Sequence, residues 1–297
     1  MCVCLDWRAM KVLSAAWRTS RPKQWTKNLL VMAAPLAAGE LLDPDVAVST
    51  LLAFVAFCLM SSAVYHVNDV ADREADRAHP RKRKRPVAAG EMNVRSALVV
   101  AGVLVILSLA VASAAGTSLV VLLGSYGVLQ LLYAFWLKHE PVMDIAVVAV
   151  GFLMRAVAGG LAASLPISQW FLLVAGFGSL FIVAGKRYSE LHTLGHEAGT
   201  RPSLVRYTGT YLRFVWSAAA AATVMSYSLW AFEMSQGTSE PWHMLSIGAF
   251  VLGVLRYAVD IDAGTAAEPE DIVLADRVLQ GLGVVWLVLV ALGIMHG

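Results

Sequence analysis

Residues 46–76 of this chain read VAVSTLLAFVAFCLMSSAVYHVNDVADREAD. The stretch begins as an apolar run that is long enough to cross a bilayer, which takes about 20 residues in a helix. It ends in the carboxylates of Asp69, Asp72 and Asp76, whose i, i+3 and i+7 spacing places them on one face of a continuing helix. The stretch therefore predicts a transmembrane helix that carries an acidic cluster to the membrane surface.

The rest of the chain is similarly apolar. Hydrophobic residues make up 58% of its 297 residues and charged residues only 15%, whereas about a quarter of the residues of a soluble domain are charged. We therefore predict an all-α polytopic membrane protein, with about nine transmembrane helices around a central cavity open to the cytoplasm. The predicted spans are 28–42, 46–68, 96–114, 118–137, 142–164, 168–187, 211–233, 243–260 and 278–296.

The distribution of basic residues predicts the orientation. Nine spans place four loops outside, namely 39–45, 112–117, 164–169 and 234–241, and none of them contains Lys or Arg. Because cytoplasmic loops carry the excess of Lys and Arg, we predict a cytoplasmic N-terminus in a cell (plasma) membrane, with the acidic cluster also facing the cytoplasm. Residues 1–27 are predicted to form a cytoplasmic or interfacial segment, and residues 28–297 a single nine-helix domain.

The acidic cluster has the chemistry of a magnesium site. Carboxylate and amide oxygens are ligands that Mg²⁺ prefers, and this ion keeps the rest of its octahedral shell for water and substrate phosphates. Asn68, Asp69 and Asp72 are therefore candidate ligands, and a diphosphate is the natural bridging ligand. In the alternative interpretation the acids only form solvated ion pairs with Arg73 and Arg77.

Two basic groups are predicted to face the same compartment. The run 81–85 has three interpretations: a phosphate-binding group, a topology signal, or a site for anionic lipid headgroups. Lys186 and Arg187 lie at the predicted end of the sixth span, with Glu190 four residues after Lys186. Lysine is a point charge and arginine a bidentate donor for phosphate oxygens, so this group favours a phosphorylated substrate. Its alternative is a topology signal with a local ion pair.

Two further features leave alternatives open. Arg155 lies deep within the fifth predicted span, where a charged side chain needs a partner or a polar cavity. A structural role and a substrate-binding role both fit it. The acidic loop 260–276 fits either recognition of a sugar hydroxyl or plain solvation.

The motif Asn68-Asp69-x-x-Asp72-x-x-x-Asp76, followed by Arg85-Pro86-x-x-x-Gly90, resembles the first signature of the UbiA superfamily of intramembrane prenyltransferases. The resemblance covers nearly the whole chain, including residues 21–28 before the first span and Tyr133, Lys138 and Asp144 around the fifth.

The chain departs from that family at one place. Members that prenylate aromatic rings usually carry a second aspartate motif after the sixth helix, where this chain has Lys186, Arg187 and Glu190. In this respect it resembles the branch of the superfamily that acts on decaprenyl phosphate.

The resemblance to that branch implies transfer of 5-phosphoribosyl from 5-phosphoribosyl 1-diphosphate to decaprenyl phosphate, with Mg²⁺ as cofactor and diphosphate as leaving group. The product would be decaprenylphosphoryl-5-phosphoribose, a precursor for cell-wall arabinan. The implied catalytic residues are Asp69, Asp72 and Asp76, and the implied metal ligands are Asn68, Asp69 and Asp72. The implied substrate-binding residues are Lys23, Lys27, Asn28, Asn68, Arg73, Arg85, Tyr133, Lys138, Lys186, Arg187 and Glu190.

Two other functions compete with this one. A UbiA-type aromatic prenyltransferase would transfer a prenyl chain from its diphosphate to a quinone or haem precursor. A transporter would need polar residues along a path across the bilayer, whereas the charges of this chain crowd one predicted face. The expected partners are the two substrates and membrane lipid, without nucleic acid. Association into a homo-oligomer through small residues such as Gly159 and Gly160 is a further hypothesis.

Overall fold

A computed structural model describes residues 7–80, 82–194, 203–236 and 240–296. These residues form α-helices and short 3-10 helices and contain no strand, which confirms the predicted all-α class. Arg81, the first residue of the basic run, lies outside the described residues. The α-helices are α1 (Trp7–Ser20), α2 (Ala33–Ala37), α3 (Pro44–Ala71), α4 (Arg73–Ala78), α5 (Val94–Ala115), α6 (Thr117–Phe135), α7 (Met143–Ala162), α8 (Gln169–Leu194), α9 (Gly209–Met234), α10 (Trp242–Asp262), α11 (Pro269–Ala275) and α12 (Arg277–His296). The 3-10 helices are Pro22–Met32, Lys82–Lys84, Leu137–His139 and Leu204–Arg206.

Within the described ranges, seven helices are long and apolar enough to cross a membrane, namely α3, α5, α6, α7, α8, α10 and α12. The chain is therefore a multi-pass membrane protein, but the predicted count of nine spans is not confirmed. The predicted span 211–233 corresponds to α9, which has 26 residues but is not among these seven helices. The predicted span 28–42 is divided between the 3-10 helix Pro22–Met32 and the five-residue α2.

Side-chain caps fix where several long helices begin. The Asp43 carboxylate accepts hydrogen bonds from the backbone N–H groups of Asp45 and Val46 at 3.0 and 3.1 Å, and Pro44 follows at the first helical position of α3. Asn93 caps α5, and Thr208 caps α9, in the same way. Each cap satisfies backbone donors that have no partner inside the helix. The short polar residues between the apolar segments therefore determine the helix boundaries.

The chain divides into two compact units. The first contains the described residues up to Leu137 together with Met154–Leu165, and the second contains Lys138–Leu153 together with the described residues from Pro166 onward. Helix α7 contributes its first half to the second unit and its second half to the first. The single domain that the sequence suggests for residues 28–297 stays a prediction.

Each unit has its own apolar core. In the first unit α3 packs against α5 and α6, and Phe57, Leu119 and Leu123 are completely buried there. In the second unit α8 packs against α9, and α10 packs against α9 and α12. Its core includes Leu212 and Ile261, which are also completely buried.

Candidate active site

The carboxylate of Asp69 is the most deeply buried acid of the first unit, with 1% of its surface exposed. Its Oδ1 atom accepts a hydrogen bond from the guanidinium of Arg21 and forms an ion pair with Arg85 at 3.3 Å. Its Oδ2 atom is buried and has no hydrogen-bond partner among the described residues. A buried carboxylate oxygen without a donor is costly. Asp69 therefore has one oxygen saturated by cations and one available to a ligand.

Asp76 and Arg85 extend this cluster. The backbone N–H groups of Asp72 and Asp76 bond to the carbonyls of Asn68 and Asp72 at 2.9 and 2.8 Å, so the helical pattern continues from α3 into α4 despite the break at Asp72. Asp76 is 2% exposed, and its Oδ2 atom accepts a hydrogen bond from Arg85 at 2.7 Å. Arg85 thus joins Asp69 and Asp76, as their i and i+7 spacing on one face suggests.

The segment before the first apolar stretch runs antiparallel to α3 and brings Arg21 to Asp69. The Ser62 hydroxyl donates to the carbonyl of Ser20 at 3.2 Å, and the Trp25 indole N–H donates to the Ser62 hydroxyl at 3.1 Å. The buried His66 ring lies 3.3 Å from the Ser20 hydroxyl. These contacts join the end of α1 to the last three turns of α3.

The backbone of Arg21 is strained. Its φ of 51° and ψ of 62° lie in the left-handed region, which a non-glycine residue rarely adopts and which the proline that follows further disfavours. Such a conformation costs on the order of 1–3 kcal/mol and tends to occur at functional sites. It turns the guanidinium toward Asp69 and over the Tyr65 ring, 4.8 Å from the ring centroid. The surrounding contacts therefore hold Arg21 at the carboxylate against a local preference.

The donor set at the end of α3 fits a divalent metal ion. The Oδ2 atom of Asp69, the Asn68 amide and the Asp72 carboxylate are hard oxygen donors on neighbouring turns. Within the described ranges no group of three or more His, Cys, Asp or Glu side chains converges as a ready metal cluster. Mg²⁺ needs only one or two protein carboxylates, because water and phosphate oxygens complete its shell.

Asn28, Lys23 and Lys27 share the 3-10 helix but lie in different surroundings. Asn28 is 1% exposed, and its amide donates to the Cys58 thiol and the Ser61 hydroxyl, each at 3.3 Å. Ser61 lies eight residues before Asp69, roughly 12 Å along α3 at the usual helical rise. The structure therefore places Asn28 well below the carboxylate cluster, while the side chain of Lys23 is exposed and that of Lys27 half-buried.

The partner that Arg155 needs inside the membrane is Asn28. Its Nε atom donates to Asn28 Oδ1 at 2.8 Å, and its guanidinium donates to the Tyr126 hydroxyl at 2.6 Å and lies over that ring. One turn further along α7, a Cβ atom on Gly159 would lie 2.2 Å from the Val31 carbonyl oxygen. Close packing and buried hydrogen bonds therefore anchor the 3-10 helix to α7, which favours the structural role of Arg155.

In the second unit Arg187 lies at the centre of a closed polar network. Its side chain is 2% exposed and donates to Asp144 and Glu190, each at 3.0 Å. Asp144 is completely buried and also accepts hydrogen bonds from the hydroxyls of Ser203 and Tyr207. Burial and the bond to Asp144 raise the pKa of the Tyr207 phenol. Arg187 is thus held by carboxylates, and the local ion pair of the alternative interpretation is present here between Arg187 and Glu190.

Lys186 lies beside this network but points to a different partner. Its ammonium pairs with Glu268 at 3.2 Å, and its side chain is 21% exposed. Lys138, which is half-buried, is in the 3-10 helix Leu137–His139 of the same unit, whereas Tyr133, also half-buried, is near the end of α6 in the first unit. Arg73 of α4 is half-buried, and its Nε atom has no hydrogen-bond partner among the described residues.

Three acids of the acidic loop in the second unit form ion pairs with arginines or with Lys186. Asp262 pairs with Arg213 at 2.8 Å, and Asp276 pairs with Arg256 at 2.7 Å. The hydrogen bond from Arg256 holds the pKa of the Asp276 carboxyl below its usual value. The Oδ2 atom of Asp260 is buried and has no hydrogen-bond partner among the described residues, so both predicted roles of the loop, recognition of a sugar hydroxyl and plain solvation, stay predictions.

An apolar pocket of about 270 Å³ lies between the first half of α7 and the middle of α8. Leu153 and Gly176 face one another across it, with the nearest Leu153 carbon 3.9 Å from where a Cβ atom on Gly176 would lie. The pocket wall also includes Ala146, Val150, Leu173 and Phe177.

Sequence reasoning missed the role of Arg21 and of the residues that enclose Arg187. Arg21 is part of the predicted site only as a member of the segment 21–28 that carries the family resemblance. No local pattern indicates its left-handed backbone or its bond to Asp69. Tyr207 and Ser203 reach Asp144 from about sixty residues away along the chain. A signal was present for Asp144, since an acid at the start of an apolar helix needs a buried partner.

Comparison with known proteins gives a consistent result. The sequence model of the UbiA prenyltransferase family matches residues 29–276. The decaprenyl-phosphate phosphoribosyltransferase of Corynebacterium glutamicum is 49% identical over 283 residues, which are 92% of this chain and 85% of that protein. The protein of the same name from Mycobacterium tuberculosis is 51% identical over 282 residues, 93% of each chain.

The fold has relatives among solved structures. A UbiA homolog from Archaeoglobus fulgidus bound to GPP and Mg²⁺ superposes with a TM-score of 0.72 at 19% identity, covering 94% of this chain and 98% of that chain. The structure of a digeranylgeranylglyceryl phosphate synthase superposes with a TM-score of 0.70 at 17% identity. At these identities the likeness shows the fold alone.

Proposed function

This chain belongs to the UbiA prenyltransferase family, and we propose that it transfers 5-phosphoribosyl from 5-phosphoribosyl 1-diphosphate to decaprenyl phosphate. Relatives about half identical over more than nine-tenths of the chain bear the name decaprenyl-phosphate phosphoribosyltransferase. The observation in the structure that carries the proposal is the buried, unpartnered Oδ2 atom of Asp69 inside a cluster of arginines. A carboxylate with one available oxygen, next to guanidinium groups, suits a metal diphosphate better than a neutral substrate.

In this proposal the end of α3 binds the diphosphate of the donor. Asn68, Asp69 and Asp72 would hold Mg²⁺, which when bound neutralises charge on the leaving diphosphate. Arg85 would supply further positive charge, and Asp76 holds Arg85 in place through the 2.7 Å hydrogen bond. These groups stabilise the charge that develops as the C1–O bond of the ribose breaks.

The acceptor needs little activation. As in other glycosyl transfers, C1 of the ribose is expected to develop oxocarbenium character. The phosphate of a lipid phosphate monoester is already anionic at neutral pH, so it can attack C1 without a strong general base. This explains why the proposal assigns no catalytic role to the buried His66, whose contact is with the Ser20 hydroxyl.

The second unit would contribute an acceptor or phosphate contact and a site for the prenyl chain. Lys186 is partly exposed and its partner Glu268 is exposed, so Lys186 can exchange Glu268 for a phosphate at small cost. In this proposal Arg187 is a positioning residue and does not bind substrate, because its guanidinium is already held by Asp144 and Glu190. The apolar pocket between α7 and α8 has the chemistry to bind several isoprene units.

The proposed setting is a cell membrane with the N-terminus and the Asp69 cluster on the cytoplasmic side. The absence of Lys and Arg from the four predicted outer loops supports this orientation, and phosphoribosyl diphosphate, as a highly charged donor, fits the aqueous side where these charges lie.

An aromatic prenyltransferase is the alternative from the same family. The A. fulgidus UbiA homolog is solved with GPP and Mg²⁺, and such a function would need acidic ligands for a prenyl diphosphate in the C-terminal third of α8. At that place this chain has the buried Arg187 between Asp144 and Glu190. Because Arg187 already bonds to both of these carboxylates, they are not available to hold a prenyl diphosphate through a metal ion. This favours phosphoribosyl transfer over aromatic prenylation.

The proposal is tested by giving the purified protein, in nanodiscs with Mg²⁺, labelled phosphoribosyl diphosphate and decaprenyl phosphate. We expect a charged, acid-labile lipid that carries the label. A parallel reaction contains decaprenyl diphosphate and 4-hydroxybenzoate. Product only in the parallel reaction would favour the aromatic prenyltransferase, and no product with any polyprenyl phosphate would refute the proposed function.

A further inference from the structure

Arg21 is bound to Asp69 in a way that differs from the binding of Arg85. Both guanidinium groups contact the same oxygen, Oδ1 of Asp69. Arg85 has a second anchor, its hydrogen bond to Asp76, whereas Asp69 is the carboxylate partner of Arg21 among the described residues. If Asp69 engages another cation, Arg85 keeps an acidic partner and Arg21 does not.

The surroundings of Arg21 also allow its guanidinium to move. Its side chain is 28% exposed, while Asp69 is buried. The backbone of Arg21 is fixed by the left-handed turn and by the contacts of Ser20 and Trp25 with Ser62. Because the backbone is fixed, the Arg21 side chain can change between two acceptors by rotation about its own bonds, without movement of a helix. The face of the Tyr65 ring lies beneath it and favours a cation without saturating any of its N–H donors.

We propose that Arg21 is an exchangeable counterion, bound to Oδ1 of Asp69 before the donor arrives and transferred to the donor diphosphate when a metal ion binds to the same carboxylate. The inference rests on the proposed function, because it assumes that the metal diphosphate binds at the end of α3. Before binding, Arg21 lies on Oδ1 of Asp69 and the metal ion would use the free Oδ2, so the two cations compete electrostatically for one carboxylate. After binding, the guanidinium gives the diphosphate a bidentate, charge-assisted contact.

The proposal requires effects of opposite sign from one substitution. Without the guanidinium, Asp69 has lost a competing cation, so a bare metal ion should bind more tightly. The diphosphate has lost a hydrogen-bonding partner, so its metal complex should bind more weakly. A purely structural role for Arg21 predicts something else, since loss of a structural contact would weaken both.

The test measures binding to the wild-type protein and to Arg21→Gln in nanodiscs, with Mn²⁺ followed by electron paramagnetic resonance. With Mn²⁺ alone we expect Arg21→Gln to bind on the order of tenfold more tightly. With Mn²⁺ and inorganic diphosphate we expect it to bind the diphosphate on the order of tenfold more weakly than the wild type. Arg21→Lys keeps the positive charge, so its affinity for diphosphate should lie between that of the wild type and that of Arg21→Gln.

Arg18→Gln is the matched control. Arg18 is in the last turn of α1 and pairs with Glu91 on the surface, where both side chains are nearly half exposed. Its substitution removes one positive charge three residues from Arg21 and should change neither affinity more than about twofold. Equal or weaker Mn²⁺ binding by Arg21→Gln, or unchanged diphosphate binding, would overturn the proposal. Both binding measurements use inorganic ligands only. Their failure can therefore be distinguished from failure of the phosphoribosyl transfer assay.

Discussion

Two clusters of acids and arginines, one in each unit, differ in how completely they are satisfied. At Asp69 two arginines share one carboxylate oxygen, the other oxygen has no partner among the described residues, and the arginine side chains are about a quarter exposed. At Asp144 both oxygens accept hydrogen bonds, and Arg187 is 2% exposed. A closed network stabilises one arrangement, whereas an open one can exchange partners. We therefore propose that the first cluster binds substrate and that the second supports the fold.

The largest expected effect is on turnover, at the open cluster. Asp69→Asn replaces the available oxygen by an amide that holds a divalent cation poorly, so phosphoribosyl transfer should fall by on the order of 10³-fold or more. The melting temperature should change little, because Arg21 and Arg85 remain hydrated. Initial rates and thermal unfolding of the same preparation measure both. Turnover near the wild-type level would remove Asp69 from the site.

Asp144→Asn should show the reverse pattern. It leaves the buried Arg187 with one carboxylate fewer, and breaking a buried ion pair costs about 3–5 kcal/mol. In a chain of this size we expect the melting temperature to fall by roughly 10 °C. The part that stays folded should keep most of its activity. A stable Asp144→Asn protein that has lost donor or acceptor binding would show that the closed cluster belongs to the active site.

Tyr207→Phe tests the same network with a smaller change. It removes the hydroxyl that donates to Asp144 and should cost about 1–3 kcal/mol of stability. Since the pKa of Tyr207 is raised by burial and by Asp144, its contribution is full below the usual pKa of about 10. It is lost only as the pH rises beyond that value toward the raised pKa of the folded state. Thermal melting from pH 7 to pH 11 should show an alkaline loss of stability that is smaller in Tyr207→Phe, and parallel pH profiles would contradict this.

The smallest expected effect concerns the apolar pocket. Gly176→Phe would fill the space opposite Leu153 and should raise the KM for decaprenyl phosphate several-fold, on the order of 1 kcal/mol. The KM for a short acceptor such as geranyl phosphate should be unchanged. Gly253→Phe is the matched control, since a side chain at Gly253 of α10 meets no atom within 4 Å. Equal effects on long and short acceptors would exclude this pocket as the site of the prenyl chain.

Much of the fold was predictable because a bilayer imposes strong rules on sequence. Eight of the nine predicted spans coincide with long helices to within a few residues at most ends, such as 46–68 with α3 and 278–296 with α12. The first predicted span was wrong as a single helix, because apolar content alone cannot distinguish one α-helix from a 3-10 helix followed by a five-residue α-helix. Helix α8 continues past residue 187, so Lys186 and Arg187 lie within it and not at its end.

The candidate site was predictable only where its residues are close in sequence. The spacing from Asp69 to Asp76 determines their common face, and Arg85 follows within a few turns. The contacts of Arg21 with Asp69 and of Arg187 with Asp144 span more than forty residues, so they depend on how helices pack and not on local pattern. Burial likewise could not be predicted for Arg187, since a basic residue near a membrane surface usually faces water.

The central claim is that the end of α3 binds the donor diphosphate through Asp69 and a metal ion. Equilibrium binding of labelled phosphoribosyl diphosphate to the purified protein, with and without Mg²⁺ and without any acceptor, tests it most directly. We expect Mg²⁺-dependent binding by the wild type and by Asp144→Asn, and its loss in Asp69→Asn. Binding that needs no Mg²⁺, or that Asp69→Asn retains at wild-type affinity, would contradict the claim.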